Sequence, residues 1–327
     1  MPVKGEKMKN HCKRKTFTGR ECLLIILWMF SQLPCLNANP VISTNIGDFI
    51  FKYNTSEENY NIKVYYYCPK RFSPKSKIVF VLHGDNRNGA FYRNEWSTYA
   101  EKYNFLVLCP ELTKEDFPYM KYNLGNIYDE KKKKFNPKEE WTFNIIEKLF
   151  DFVREDKKTQ VTSYSIFGHS SGGQFVQRMV LFMPDARFST AIANGSGWYT
   201  MPNFTKKFEY GLRLTPLTDD TLKKAFGKEL VILMGEKDFV SKVKPKSYEE
   251  TTHSFDRLWR AIFFYDEAKS KAKELGVELK WVFKTVPNAD HNNPKHAQFA
   301  IRYIMKPENK NADDPNEIDK NPENSGD

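Results

Sequence analysis

Gly168-His169-Ser170-Ser171-Gly172 limits what this chain can fold into more tightly than any other stretch, because of what flanks it. Before it runs Tyr164-Ser165-Ile166-Phe167, short and apolar, the pattern of a buried strand. After it, apolar residues recur at helical spacing at Phe175, Val176, Met179, Val180 and Met183. A strand that turns into a helix across G-x-S-x-G predicts a sharp bend, with the central serine strained and its hydroxyl lifted clear of the sheet. Glycines are expected on both sides, because a side chain there would strike the neighbouring strand or helix. Ser170 is therefore the candidate nucleophile, and Ser171 contributes a backbone N–H. A Gly-Ser turn with no chemistry is the bland alternative, and the rest of the chain bears on it.

From about residue 48 strands and helices alternate. Asp48 to Tyr53 and Ile62 to Tyr67 read as strands joined by a polar turn. Ile78 to Leu82 and Phe105 to Leu108 are unbroken apolar runs, as in strands covered on both faces. A helix is expected over Asn94 to Tyr103, and an amphipathic one over Lys138 to Arg154 with Trp141, Ile145, Leu149 and Phe152 on one face. Further strands follow at Thr190 to Asn194, Leu230 to Met234 and Leu279 to Val286. Between the last two lies a helix with Phe255, Leu258, Trp259, Ile262 and Phe263 inward, and a final helix covers His296 to Met305. This order predicts an α/β fold: a mostly parallel central sheet after an antiparallel start, with helices on both faces. Two long irregular stretches, residues 110–137 and 195–228, exceed ordinary connections and are expected to form a lid-like insert or pocket wall.

The ends differ from the middle. Residues 1–38 carry seven basic side chains against Glu6 and Glu21, a net +5 that is half of the chain's +10. The basic stretch leads into Leu23 to Phe30, then to Leu36-Asn37-Ala38, which reads as a signal peptide cleaved after Ala38. An uncleaved anchor is the alternative. A secreted or periplasmic protein is expected, with no stable membrane insertion once the leader is gone. The remaining cysteines, Cys68 and Cys109, are expected to be free thiols, and no paired Cys or His spacing supports a metal. Lys131 to Lys134 reads as a solvated loop; no aromatic–basic pattern accompanies it, so nucleic acid is not an expected partner. Residues 307–327 are polar and expected to be a disordered tail, leaving 45–306 as the folded domain.

A serine hydroxyl needs a base, and the base needs an acid that fixes its tautomer. In the strand–turn–helix context of G-x-S-x-G these follow in the order Ser, Asp or Glu, His, each past a strand end. Asp238 follows the strand Leu230–Met234 across Gly235-Glu236-Lys237, and His291 follows the strand that ends at Val286. Glu236 rivals Asp238. His253 and His296 rival His291, but both sit at helix starts, where capping or surface roles are ordinary. The negative oxygen of a tetrahedral intermediate needs preorganised donors. One is the N–H of Ser171 at a helix N-terminus; the other is assigned to the N–H of Asp85 in His83-Gly84-Asp85. The Asp85 carboxylate must then point away from that oxygen.

Val81-Leu82-His83-Gly84, Gly168 to Gly173, Gly235-Glu236-Lys237-Asp238 and His291 together resemble the poly(3-hydroxybutyrate) depolymerase-like branch of the α/β-hydrolases, which includes exported esterases. The resemblance covers residues 60–305 and departs at Asp85, where depolymerase-type members often carry Cys. It implies an α/β-hydrolase fold and a serine esterase that works through Ser170, His291 and Asp238 on a small or oligomeric ester, without cofactor or metal. An amidase or peptidase with the same triad, and a catalytically silent binding protein, are the competing expectations. Trp198 and Tyr199, just past a strand end, are candidates to line the pocket, with core packing as their alternative. Nothing in the sequence speaks to an oligomeric state.

Overall fold

Strands β1 (Asn45–Asn54) and β2 (Asn59–Cys68) pair antiparallel across the polar turn, with Phe49, Tyr53, Ile62, Val64 and Tyr66 turned into the core. Alternation buries one side of this hairpin; the other is largely open on the edge strand β1 and half-covered on β2, where Tyr65 and Tyr67 are partly buried. Next come β3 (Ile78–Leu82), helix α1 (Gly89–Tyr103), β4 (Leu106–Glu111), the short helix α2 (Tyr119–Tyr122) and a two-residue hairpin of β5 (Tyr128–Asp129) and β6 (Lys134–Phe135). The chain continues through α3 (Asn144–Asp156), β7 (Tyr164–His169), α4 (Ser171–Phe182), β8 (Phe188–Asn194) and α5 (Asp219–Phe226). It closes with β9 (Glu229–Gly235), α6 (Arg257–Glu274), β10 (Trp281–Val286) and α7 (Lys295–Ile304). The computed structural model describes Met1 and residues 41–239, 246–248, 256–292 and 294–306; the expected leader, the expected tail and His253 lie outside the described residues.

Eight strands form one sheet in the order β1-β2-β4-β3-β7-β8-β9-β10, and every pairing from β4 to β10 is parallel. Only the β1–β2 and β2–β4 pairings are antiparallel. Ile78 to Leu82 are wholly buried, which is why that run is apolar at every position rather than at alternate ones. One face carries Ile145 and Leu149 of α3, Phe175 and Met179 of α4, Leu222 of α5 and Phe264 of α6. The other carries Trp96 and Ala100 of α1 and Ala297 and Ile301 of α7. This is the α/β-hydrolase arrangement, with helices on both faces of a mostly parallel sheet.

Three expectations need correction. Helix α1 begins at Gly89, not Asn94, because the Asn88 side chain accepts a hydrogen bond from the Phe91 N–H and caps it a turn earlier. Helix α6 turns Arg260, Ala261, Phe264, Ala268 and Ala272 inward, leaving Leu258 and Phe263 only partly covered. Alanines, which look neutral in sequence, set the closely packed face there. Residues 110–137 are not structureless either: Leu112, Phe117, Tyr122, Leu124 and Ile127 are buried. Cys68 and Cys109 belong to opposite faces of the sheet, Cys68 in the core under α3 and Cys109 in the core under α1. That placement rules out a bridge between them.

Arg178 fastens the irregular segments to the sheet. It is buried in α4, where its Nε donates to Thr200 Oγ1 at 2.9 Å and its Nη1 to the Asn123 and Gln174 carbonyls at 3.1 and 3.3 Å. Arg178→Met keeps the apolar stem but leaves these acceptors buried without a donor. We expect a loss of about 3 kcal/mol, or roughly 6–12 °C in melting midpoint. A midpoint within 2 °C of the parent, on the order of 1 kcal/mol or less, would show that the arginine contributes nothing there.

Candidate active site

Ser170 closes β7 with φ 54° and ψ −110°, a backbone region that non-glycine residues rarely adopt. Its N–H donates to the Asn194 carbonyl at 2.9 Å, and its carbonyl accepts from Gln174 N–H at 3.0 Å. The glycines around it are required by contact. A Cβ on Gly168 would lie 2.1 Å from the Gly172 carbonyl oxygen, and one on Gly172 would lie 2.6 Å from the Leu82 oxygen. Only bare backbone lets β7, α4 and β3 approach this closely.

Asp238 and His291 sit in the turns after neighbouring parallel strands β9 and β10, and those turns are zipped together. Glu236 N–H donates to the Val286 carbonyl and Lys237 N–H to the Ala289 carbonyl. The Glu236 side chain, the rival acid, is spent on the Asn288 N–H. Asp238 is buried, and its Oδ2 lies 2.8 Å from His291 Nδ1. A carboxylate only accepts, so Nδ1 carries the proton and Nε2 is left for proton exchange. Arg257 holds the other oxygen, Oδ1, at 3.1 Å. Burial by itself would raise the Asp238 carboxyl, but the hydrogen bond and charge of His291 and the charge of Arg257 outweigh it and hold the group below its ordinary value. On its other side the His291 ring packs on Gly195, where a Cβ would sit 3.1 Å from ring atoms; Gly195 is also left-handed at φ +56°.

The turn after β3 is fixed by His83, which is fully buried. Leu112 N–H donates to His83 Nε2 at 3.0 Å, so Nδ1 bears the proton and donates to the Gly84 carbonyl, also at 3.0 Å. The His83 carbonyl accepts from Tyr122 Oη–H at 2.7 Å and from Gly172 N–H at 3.1 Å. Among the described residues neither Asp85 N–H nor Ser171 N–H has a hydrogen-bond partner. The Asp85 carboxylate pairs outward with Lys114 at 2.7 Å, the direction required if its N–H serves an anion.

His169 ties these loops together. Its Nε2 donates to the His291 carbonyl at 2.8 Å, so its bare Nδ1 accepts from Tyr92 Oη–H at 2.6 Å. The Tyr92 oxygen in turn accepts from Gly84 N–H at 3.2 Å. A cavity of about 690 Å³ opens over this line, with Gly84, Asp85, Phe91, Tyr92, Glu95, His169, Ser170, Asn194 and His291 among its walls. The structure thus brings Ser170, His291 and Asp85 to one cavity, with Asp238 behind His291.

The remaining candidates fall elsewhere. Tyr199 is fully buried, stacked on Phe264 with ring centroids 4.7 Å apart. Trp198 lies under the Arg260 guanidinium, 4.2 Å from its ring centroid. Neither lines the cavity, and both pack the insert onto α6, the alternative the sequence left open. Residues 110–137 and 195–228 do not wall this cavity either; among the described residues its walls come from 84–96, from the ends of β7 and β8, and from 291–297 at the turn after β10 and the start of α7. His296 is neither capping nor on the surface. It is buried, donating from Nε2 to the Asp290 carbonyl at 2.7 Å, and lines the cavity. Tyr92 and Glu95 escaped the sequence reading; the Asn88 cap was the signal that would have placed both on one helix.

Burial pushes His83 down to about 4 and His169 down to about 3 from the ordinary 6.5. Both rings are neutral when folded, whereas the unfolded chain takes up their protons as pH falls below 6.5. Stability is therefore full above that pH and is lost below it, by about 1.4 kcal/mol per pH unit for each ring, until the folded values are reached. Urea midpoints at pH 7.5 and 5.5 should differ accordingly, and His83→Gln should shrink the difference. Equal midpoints would contradict the assigned tautomers.

Comparison with known proteins gives the family. The sequence profile of the esterase family matches residues 55–201. Poly(aspartic acid) hydrolase-1 from Sphingomonas sp. KT-1 is 37% identical, with a TM-score of 0.74 over 81% of this chain and 100% of that one. LpqC, a poly(3-hydroxybutyrate) depolymerase from Bordetella parapertussis, is 27% identical, with a TM-score of 0.70 over 78% of this chain and 88% of that one. No curated protein matches the chain in sequence. The chain belongs to the poly(3-hydroxybutyrate) depolymerase-like esterases of the α/β-hydrolase superfamily, a family of carboxylic ester hydrolases.

Proposed function

We propose that this protein is an exported serine hydrolase that cleaves carboxylic esters through Ser170, His291 and Asp238. The observation that carries the reading is the Asp238–His291 hydrogen bond at the wall of a cavity that Ser170 also lines, with Ser170 in the strained elbow conformation. His291 Nε2 takes the proton of the Ser170 hydroxyl as the oxygen attacks the ester carbonyl carbon. The carbonyl oxygen becomes negative and is held by the N–H groups of Asp85 and Ser171, the second at the N-terminus of α4 where the helix dipole favours an anion. His291 then returns the proton to the departing alcohol, leaving an acyl group on Ser170. Water, deprotonated by the same nitrogen, releases the acid. Asp238 keeps the proton on Nδ1 and stabilises the imidazolium formed in each half.

Export rests on the basic and apolar pattern of residues 1–38, and the catalytic domain is assigned to 45–306 with a polar tail beyond. Among the described residues no helix is long and apolar enough to cross a membrane. Every step above is assigned to side chains and backbone of this chain, so no cofactor enters the scheme. A second reading, amide cleavage by the same groups, is favoured by the relative named for hydrolysis of poly(aspartic acid), whose units are joined by amide bonds.

A fluorophosphonate probe should label the protein once, and Ser170→Ala should abolish labelling. Asp238→Asn should lower kcat on p-nitrophenyl esters by on the order of 10³–10⁴ by presenting the wrong tautomer. Labelling that survives Ser170→Ala would remove the nucleophile. Turnover of peptide amides with none of short-chain esters would select the second reading.

A further inference from the structure

We infer that the first two turns of α1 form a subsite for an ammonium group of the substrate, with Glu95 as counter-ion and the rings of Phe91 and Tyr92 as its walls. The inference rests on the esterase reading and states what the same cavity selects. Helical spacing puts Phe91 above Glu95 and Tyr92 above Trp96, each pair four residues apart, and all four line the cavity that holds Ser170 and His291. Phe91 is 58% exposed, an unusual setting for a phenyl ring, and its ring stands edge-on to Tyr92 with centroids 5.5 Å apart.

Charge points the same way. The chain has 51 Lys and Arg, yet the described walls of this cavity include neither; their carboxylates are Asp85 and Glu95. Asp85 is already neutralised by Lys114. Glu95 has no hydrogen bond or ion pair among the described residues. Its field in the cavity is therefore not cancelled by a protein cation, and it attracts a cation while repelling a second carboxylate. Aromatic faces beside a carboxylate are the chemistry that recognises alkylated ammonium ions.

The protonation state agrees. Desolvation pushes the Glu95 carboxyl up to about 7, and the groups that feel its charge are Tyr92 and Tyr99 on its own helix and Cys109 on β4, all neutral near that pH. Across the cavity stand His169, His291 and His296. His169 is held neutral, and burial pushes His296 down as well. A cation entering the subsite supplies the partner that an ionised Glu95 lacks.

The test compares kcat/KM at pH 8.5 for a choline ester and the isosteric, uncharged 3,3-dimethylbutyl ester of the same acid. The charged ester should be favoured on the order of ten-fold, and Glu95→Gln should bring the ratio to about one. In the parent protein the ratio should fall as pH drops through 7, because Glu95 then takes a proton; both esters are cleaved by the same groups, so pH effects on the chemistry cancel from the ratio. That pH series decides the matter even if Glu95→Gln fails to fold. Binding of tetramethylammonium, measured by calorimetry, reads the subsite without turnover. If neither ester is cleaved, the esterase reading fails while ammonium binding that is lost in Glu95→Gln still upholds the subsite. A ratio near one at every pH, or ammonium binding unchanged in Glu95→Gln, overturns it.

Discussion

The neutral ring of His169 is the contact on which the site's geometry depends. It occupies the variable position just before Ser170, and it reaches both ways at once: Nε2–H to the His291 carbonyl, Nδ1 to the Tyr92 hydroxyl that also receives Gly84 N–H. Three turns from three different strands, β3, β7 and β10, are thereby joined by one line of hydrogen bonds. Each turn alone is a short loop with few constraints. Joined, none can shift without breaking a part-buried bond, which costs more than an exposed one. A protonated His169 would have no lone pair for Tyr92, so burial that keeps the ring neutral is part of the same device.

The device holds strain that the local sequence alone would release. Ser170 at φ 54° costs on the order of 1–3 kcal/mol. Its conformation persists because Asn194 grips its N–H, Gln174 grips its carbonyl, and Gly172 N–H is drawn to the His83 carbonyl. His83 performs for the β3 turn what His169 performs for the other two. It spends one nitrogen on Leu112 and the other on Gly84, while Tyr122 and Gly172 take its carbonyl. The result is a turn in which Gly84 is bonded at both N and O, while the next N–H, on Asp85 at the cavity wall, has no partner among the described residues.

Much of this was legible because it depended on local pattern. The all-apolar run Ile78–Leu82 could only be a strand covered on both faces, and G-x-S-x-G after Tyr164–Phe167 fixed the elbow and the order in which an acid and a histidine should follow. Asp238 and His291 were picked out by that order, and the structure sets them 2.8 Å apart. What stayed hidden depends on contacts between segments distant in sequence. His83 and His169 carry no role in the local pattern, yet they fasten the site's turns through partners 29, 77 and 122 residues away. Tyr199 looked like a pocket wall because aromatics past strand ends often are, but Phe264 covers it. The α6 face was misread because alanines at 261, 268 and 272 carry no signal of burial until the sheet beneath them is known.

The late start expected for α1 had the largest consequence, since it left out the five residues Gly89 to Arg93, and two of them, Phe91 and Tyr92, reach the cavity. Asn88 caps the helix, but the Gly89-Ala90 that follows is a weak opening by propensity. What holds those residues helical is tertiary: Gly89 N–H is taken by the Glu111 carboxylate, and a Cβ at Gly89 would meet Tyr65 at 2.9 Å and the Cys109 carbonyl at 3.0 Å. The helix can start here only because β2 and β4 leave room for a glycine and an acceptor for its N–H. That start sets the rotation of every later residue, so the register that sends Tyr92 to His169 also sends Trp96 into the apolar layer against Phe167, with ring centroids 4.9 Å apart. Strands β2 and β4 thus determine which side chains of α1 reach the cavity that Ser170 lines.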